Sequence, residues 1–256
     1  MEKIRNSIVV IVFFIILISI VYVFNECIMT LSYNLRLNFT KYVYLGGNDI
    51  TVYINHNTIS NPNEVSNTGI SAASGILTYI DYETNIYGAI GHDISDGSSY
   101  INGEIYASEV LSINKSGDEI GNKITTADMN KVYGTVFKTD ETGVYGIYQD
   151  TYKDKEPIQV AMPKEIKLGK AYIVTSMDNE IKKYEIEIIS INMLTKTQNI
   201  SFKVVDEELI EKTNGIIKGM SGSPIIQNGK LIGALSHSNT YNYLKGNGIF
   251  ITNMLN

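Results

Sequence analysis

Gly219-Met220-Ser221-Gly222-Ser223-Pro224-Ile225-Ile226-Gln227-Asn228-Gly229-Lys230-Leu231-Ile232-Gly233-Ala234-Leu235 is the stretch around which this 256-residue chain is organised. Gly219, Gly222 and Pro224 bracket Ser221, so the backbone bends there and little bulk stands near the hydroxyl. A serine that attacks a carbonyl needs that access. It also needs backbone N–H groups aimed at the developing oxyanion, and glycines let a turn present them. Asn228-Gly229 lies between two apolar, β-branched runs, the strongest short-range signal for a hairpin. Ser221 therefore sits just before a hairpin in a β protein. Gly/Ser/Pro clusters are also ordinary turns, so the nucleophile reading needs a base elsewhere in the chain.

Working outward from that hairpin, the chain from Gly69 reads as short strands separated by turns. Segments 75–80, 86–90, 100–113, 132–137, 144–148, 171–175, 184–191 and 200–205 are the candidates. Asp81 to Asn85 forms a turn. Helical periodicity is confined to Asp206–Lys212, where Asp206 is placed to cap the helix and Glu207 and Glu208 stand near its start. Regular short strands with turn signals indicate a barrel or sandwich. Upstream, 42–44 and 50–54 also read as strands. The stretch 55–67, rich in Asn, Ser and Pro, reads as a loop that carries a solvated His56.

The N-terminus has a different character. Lys3 and Arg5 precede an apolar run from Ser7 to Phe24. At 1.5 Å per residue this makes about 27 Å of helix, enough to cross a bilayer. The residues around Phe24-Asn25-Glu26-Cys27 fit neither a signal-peptide cleavage site nor a lipoprotein acceptor, which favours a retained anchor. The basic end stays in the cytoplasm and the rest of the chain outside it. The expected division is a cytoplasmic N-terminus at 1–6, an anchor at 7–24, a spacer at 25–67 and a catalytic domain at 68–256.

Composition narrows the function classes. The formal net charge is −6 with no basic block, which argues against nucleic acid as a partner. The single cysteine, Cys27, excludes an intramolecular disulfide framework and a multi-cysteine metal site. His56, His92 and His237 lack i,i+4 spacing, so no metal and no cofactor is expected.

His92 ends an apolar strand between Gly91 and Asp93. An imidazole at such a corner reaches a serine from elsewhere in the fold, and an unperturbed pKa of about 6.5 suits a general base. His237, on the strand leaving the hairpin, reads as a wall of the substrate cleft. Asp93, Asp96 and Asp206 are candidates to orient the imidazole. Asp93 adjoins the histidine and would point away from it. Spacing alone does not choose between Asp96 and Asp206.

Three segments carry a resemblance to a known family. They are Ser74-Gly75-Ile76-Leu77-Thr78-Tyr79-Ile80-Asp81, Gly88-Ala89-Ile90-Gly91-His92-Asp93-Ile94-Ser95-Asp96, and Asp206 through Gly215 to the serine block ending at Ala234. They resemble the SpoIVB-type sporulation peptidases, membrane-anchored serine proteases of the chymotrypsin-like clan. The resemblance implies an all-β, chymotrypsin-like double β-barrel behind one N-terminal transmembrane helix. It implies His92 as base, Asp206 as third triad member and Ser221 as nucleophile, without a cofactor. In that fold, Gly219 and Ser221 supply the oxyanion-binding amides, and Gly233, Ser236, His237 and Ser238 lie along bound substrate. The family's PDZ domain needs about 80–100 residues, so residues 25–67 leave no room for one. The implied substrate is a membrane-bound regulatory protein, cut in the intermembrane space of the forespore to relay sigma-factor activation, with self-cleavage in the spacer. A catalytically silent scaffold that binds a partner is the alternative.

Overall fold

The computed structural model describes residues 41–61, 64–94, 102–152 and 155–255, together with Ser19. The first seven strands are β1 (Tyr42–Leu45), β2 (Asp49–Asn61), β3 (Glu64–Asp81), β4 (Ile86–Ala89), β5 (Asn102–Asn114), β6 (Asn122–Asp140) and β7 (Gly143–Tyr148). Hydrogen bonding runs β3-β2-β5-β6-β7-β4, and β4 returns to β3, so these six close into a ring. After β8 (Ile158–Val160) come β9 (Gly169–Met177), β10 (Glu180–Ile191), β11 (Ile200–Val204), helix α1 (Glu207–Thr213), β12 (Pro224–Gln227), β13 (Lys230–Ser238), β14 (Lys245–Phe250) and helix α2 (Ile251–Met254). Here the order is β12-β9-β10-β11-β14-β13, and β12–β13 pairing closes a second ring. Closure leaves neither ring with an unpaired edge. β8 and β1 join the rings: β8 runs parallel to β13, and β1 pairs with both β8 and β3.

Alternation builds these strands. In β11, Ile200, Phe202 and Val204 are buried while Ser201 and Lys203 are not, the period-2 pattern of a strand with one face in a core. One cluster of buried residues, including Ile173, Ile186, Phe202 and Ile225, fills the second ring. Another, including Ile50, Val52, Leu77, Tyr87 and Ile105, fills the first. A third, with Val43, Tyr79, Leu231, Ile249, Ile251 and Met254, draws on both rings and α2. There the Tyr79 hydroxyl donates to the Met254 carbonyl at 3.0 Å.

The hairpin expected at Asn228-Gly229 is present. Both turn residues have positive φ, 50° and 75°, as a two-residue turn between twisted strands requires. The expected helix is present as α1, with Asp206 at its N-cap. Two expectations need correction. Residues 55–67 were expected as a loop, yet β2 and β3 extend into this stretch, with Asn55 opposite Ile70 and His56 opposite Gly69. A ladder that starts at Asp49 opposite Ile76 carries weak strand formers with it, because neighbours rather than local preference decide β structure. The expected spacer 25–67 thus contains β1, which joins the rings, and all of β2, a strand of the first ring, and the compact unit begins at Tyr42. The expected anchor, 7–24, lies outside the described residues apart from Ser19. Among the described residues no helix is long and apolar enough to cross a membrane.

Candidate active site

The turn that carries Ser221 is held from both rings. From the first, Ile76 N–H donates to the Ser221 carbonyl at 2.8 Å, and the Thr78 hydroxyl donates to the Gly222 carbonyl at 2.7 Å. From the second, Gly222 N–H donates to the Leu235 carbonyl at 2.8 Å and Leu235 N–H to the Ser223 carbonyl at 2.9 Å. Within the turn, the Ser223 hydroxyl and N–H both reach the Met220 carbonyl. Met220 itself is wholly buried and packs in the core of the second ring.

Gly222 is required by its surroundings. Its φ is +90°, and a Cβ there would lie 2.3 Å from the Ile76 carbonyl oxygen and 2.4 Å from Ile90 N. Gly219 also has φ +90°. Neither Gly219 N–H nor Ser221 N–H donates to another group among the described residues. Two amides of the serine turn are thus without a partner among the described residues, and an oxyanion needs such donors.

His92 follows β4 at a strained corner. Ile90 has φ 67°, a left-handed conformation that is an outlier for a β-branched residue. It costs on the order of 1–3 kcal/mol and is held by its setting: its side chain is buried and its N–H donates to the Ile76 carbonyl at 3.1 Å. The corner turns His92 into a cleft of about 320 Å³ shared with Ser221, Ile120, Ile216, Ile217, Lys218, Leu235, Ser236, His237, Ser238 and Thr240. Nδ1 of His92 lies 2.9 Å from the backbone carbonyl of Asp93. A carbonyl only accepts, so this contact needs the proton on Nδ1, the tautomer whose neutral form presents Nε2 as the acceptor. No hydrogen bond joins His92 to Ser221 here. Such bonds are commonly long without substrate and tighten when it binds.

His237 stands beside His92, with ring centroids 5.8 Å apart. It keeps an exposed edge, but the ring is partly desolvated in the cleft. That desolvation, and the neighbouring His92, hold its pKa below the ordinary histidine value. It is therefore neutral at neutral pH.

Not every expected site residue converges on this cleft. His92, Ser221, Ser236, His237 and Ser238 line it. Gly219 and Gly233 do not: Gly219 packs beside the Lys123 stem, and Gly233 sits in the barrel ladder, opposite Ile225 and Phe250, where a Cβ would be 2.3 Å from the Ile249 carbonyl oxygen. Asp206 is engaged elsewhere. Its Oδ1 accepts from Leu209 N–H and its Oδ2 from Glu185 N–H, each at 3.1 Å. Both oxygens serve the N-cap of α1 and its tie to β10, and no carboxylate hydrogen-bonds to His92 among the described residues. The other candidate, Asp96, lies outside those residues. Sequence reasoning missed the apolar walls Ile120, Ile216 and Ile217, the Asp93 carbonyl and the anchoring Ile76 and Thr78. Isolated apolar residues and main-chain groups leave no motif. Among the described residues no group of three or more His, Cys, Asp or Glu is placed to hold a metal.

Ser221 on its tight turn and the His92 imidazole share one cleft, a hydroxyl and a base of the kind a serine peptidase uses. The chain belongs to the SpoIVB peptidase S55 family, whose model matches residues 67–255. Similar solved structures include the active form of the Rv3671c protease from M. tuberculosis, at 11% identity and TM-score 0.46, covering 81% of this chain and 78% of that one. Another is the thermostable serine protease AL20 from an extremophilic microorganism, at 9% identity and TM-score 0.44, covering 81% and 94%. A search of curated proteins returned no match.

Proposed function

We propose that this chain is a serine endopeptidase with a chymotrypsin-like pair of barrels, tethered by residues 7–24 with the barrels outside the cytoplasm. The observation that carries the chemistry is the cleft that Ser221 and His92 both line, with the Gly219 and Ser221 amides of the same turn without partners among the described residues. Ser221 Oγ attacks the scissile carbonyl carbon while His92 Nε2 takes its proton. The oxyanion is held by the Gly219 and Ser221 amides; one such donor is worth about 10²–10³ in rate. His92 then gives the proton to the departing amine, and the acyl ester on Ser221 is hydrolysed by water that His92 activates in turn. The Asp93 carbonyl orients the imidazole. Asp206 acts through the fold, by capping α1.

Ser236, His237 and Ser238 form the wall along which extended substrate pairs, and Ile120, Ile216, Ile217 and Leu235 favour an apolar side chain at the cut. The family supports a role in endospore formation, in which the substrate is a membrane-bound regulatory protein of a sigma-factor pathway and the chain also cuts itself. The test is full-length protein in detergent, wild type beside Ser221→Ala, incubated and examined by mass spectrometry. Self-cleavage in the wild type alone is expected. Rescue of a sporulation-defective null strain by Ser221→Ala would refute catalysis and leave a scaffold.

A further inference from the structure

A charged pair lies buried under the nucleophile turn, outside the cleft and unused by the mechanism. Lys123 Nζ is 2.8 Å from Asp49 Oδ1, with the two side chains 0% and 3% exposed. Nζ also donates to Thr175 Oγ1 at 3.3 Å. Lys123 thus ties its own strand, β6, to β2 in the first ring and to β9 in the second. Asp49 Oδ2 is buried outside hydrogen-bonding geometry with any partner, although the Ser176 hydroxyl lies close enough to favour the charged carboxylate. Desolvation raises the Asp49 pKa and lowers that of Lys123, and their mutual attraction opposes both shifts.

Stability does not account for this arrangement. Apolar residues of similar volume are commonly as stable as a buried ion pair or more so, because desolvating two charges costs several kcal/mol per ion. What the pair adds is direction, and the residue directed lies next to Gly219. A Cβ built on Gly219 would stand 3.2, 3.5 and 3.6 Å from Cβ, Cγ and Cδ of Lys123. The lysine stem is the surface on which Gly219 rests.

The main chain around Lys123 grips the same loop. Lys123 N–H donates to the Lys218 carbonyl at 3.0 Å, and Lys218 N–H to the Gly121 carbonyl at 2.9 Å. Further along the β5–β6 connection, Ser116 N–H donates to the Thr213 carbonyl at 2.9 Å, and Asn214 Nδ2 to the Ser116 carbonyl at 2.8 Å. Residues 116–123 form a strap over 213–219. The ion pair fastens the end of that strap nearest the oxyanion-binding amide.

We infer that Lys123 is a positioning residue for catalysis: its buried pairing with Asp49 fixes the Gly219 amide where the oxyanion forms. The inference rests on the serine peptidase reading above. It predicts that breaking the pair slows acylation without weakening substrate binding, even where the fold is kept.

The test uses the full-length chain in detergent and a biotinylated fluorophosphonate, which phosphonylates an activated serine and places its oxygen among the same amides. Wild type, Ser221→Ala and the double variant Asp49→Leu with Lys123→Met are compared by labelling rate, concentration dependence and Tm. Methionine keeps an apolar stem under Gly219 but loses the ties to Asp49 and Thr175. In the folded double variant, the limiting labelling rate is expected to fall about 10- to 100-fold, less than outright loss of an oxyanion donor. The half-saturating reagent concentration stays unchanged. Labelling at the wild-type rate would overturn the inference and make the pair purely structural. Should the double variant not fold, Thr175→Val decides: it removes one bond to Nζ and keeps both charges. A 2- to 5-fold slower rate is then expected by the same argument, and a wild-type rate overturns it. A wild type that Ser221→Ala matches in failing to label would refute the peptidase reading itself, and the inference with it.

Discussion

The nucleophile turn and the histidine corner face each other across one cleft, yet they are built to different standards. The turn is anchored by Ile76 and Thr78 from one ring and by Leu235 from the other, with Met220 buried beneath it. Among the described residues the His92 ring has one hydrogen bond, to the carbonyl of its own neighbour Asp93, and it stands after a strained Ile90. On the proposed mechanism the oxyanion site is held before substrate arrives, while the base has one hydrogen-bond tether among the described residues. Preorganised dipoles carry much of the rate in such enzymes. That mechanism concentrates rigidity where charge would develop and leaves the proton carrier free to swing between the serine and the leaving group.

His92→Ala is the largest way to sharpen that comparison. Fluorophosphonate labelling is expected to slow by about 10²–10⁴-fold with Tm unchanged, since among the described residues the ring's one hydrogen bond goes to the adjoining Asp93 carbonyl. A fall in Tm of several degrees would show that the corner is structural after all.

Gly222→Ala attacks the other side. With φ at +90° and backbone atoms within 2.4 Å of the new methyl, the loss is expected at about 2–5 kcal/mol of stability. Chemical denaturation measures it, and a loss under 1 kcal/mol would mean that the turn yields more easily than its anchors imply.

Asp206→Asn and Asp206→Ala separate capping from catalysis. Losing the cap is expected to cost about 0.5–2 kcal/mol in the alanine variant and less in the asparagine variant. Labelling of both should stay within tenfold of wild type. A drop near 10⁴ in Asp206→Asn would restore the triad role, because only a charge that orients the imidazole produces a loss of that size.

The smallest effect concerns His237. Folding lowers its pKa below 6.5, so the unfolded chain binds that proton more tightly. Stability is unaffected above pH 6.5 and declines as pH falls through it towards the folded value. His237→Asn is expected to have a flatter Tm profile than wild type from about pH 7 to about pH 5. Parallel profiles would mean that the ring is solvated in both states.

What was legible in the sequence was local. Gly219 to Pro224 and Asn228-Gly229 act over a few residues, and the turn and hairpin are where they were read. Alternating runs such as Ile200-Ser201-Phe202-Lys203-Val204 announce strands for the same reason. The illegible parts depend on partners far along the chain. Lys123 and Asp49 are 74 residues apart, and neither looks like a core residue until the other faces it. The strand ends through Asn55 and His56 form only because the ladder beside them is already in place. Asp206 shows how one residue supports two readings. Its place before α1 signals an N-cap and its place before Ser221 suggests a triad acid, and both oxygens go to the nearer backbone amides.

The bond from Ile76 to the Ser221 carbonyl joins residues 145 positions apart in the chain, the difference between 221 and 76. Until the second ring has closed against the first, the serine turn lacks that anchor and the one from Thr78. On the proposed mechanism a half-folded copy is therefore a protease without a working site, and a misfolded one is disarmed by the same defect. Destructive capacity would then appear only when folding is finished.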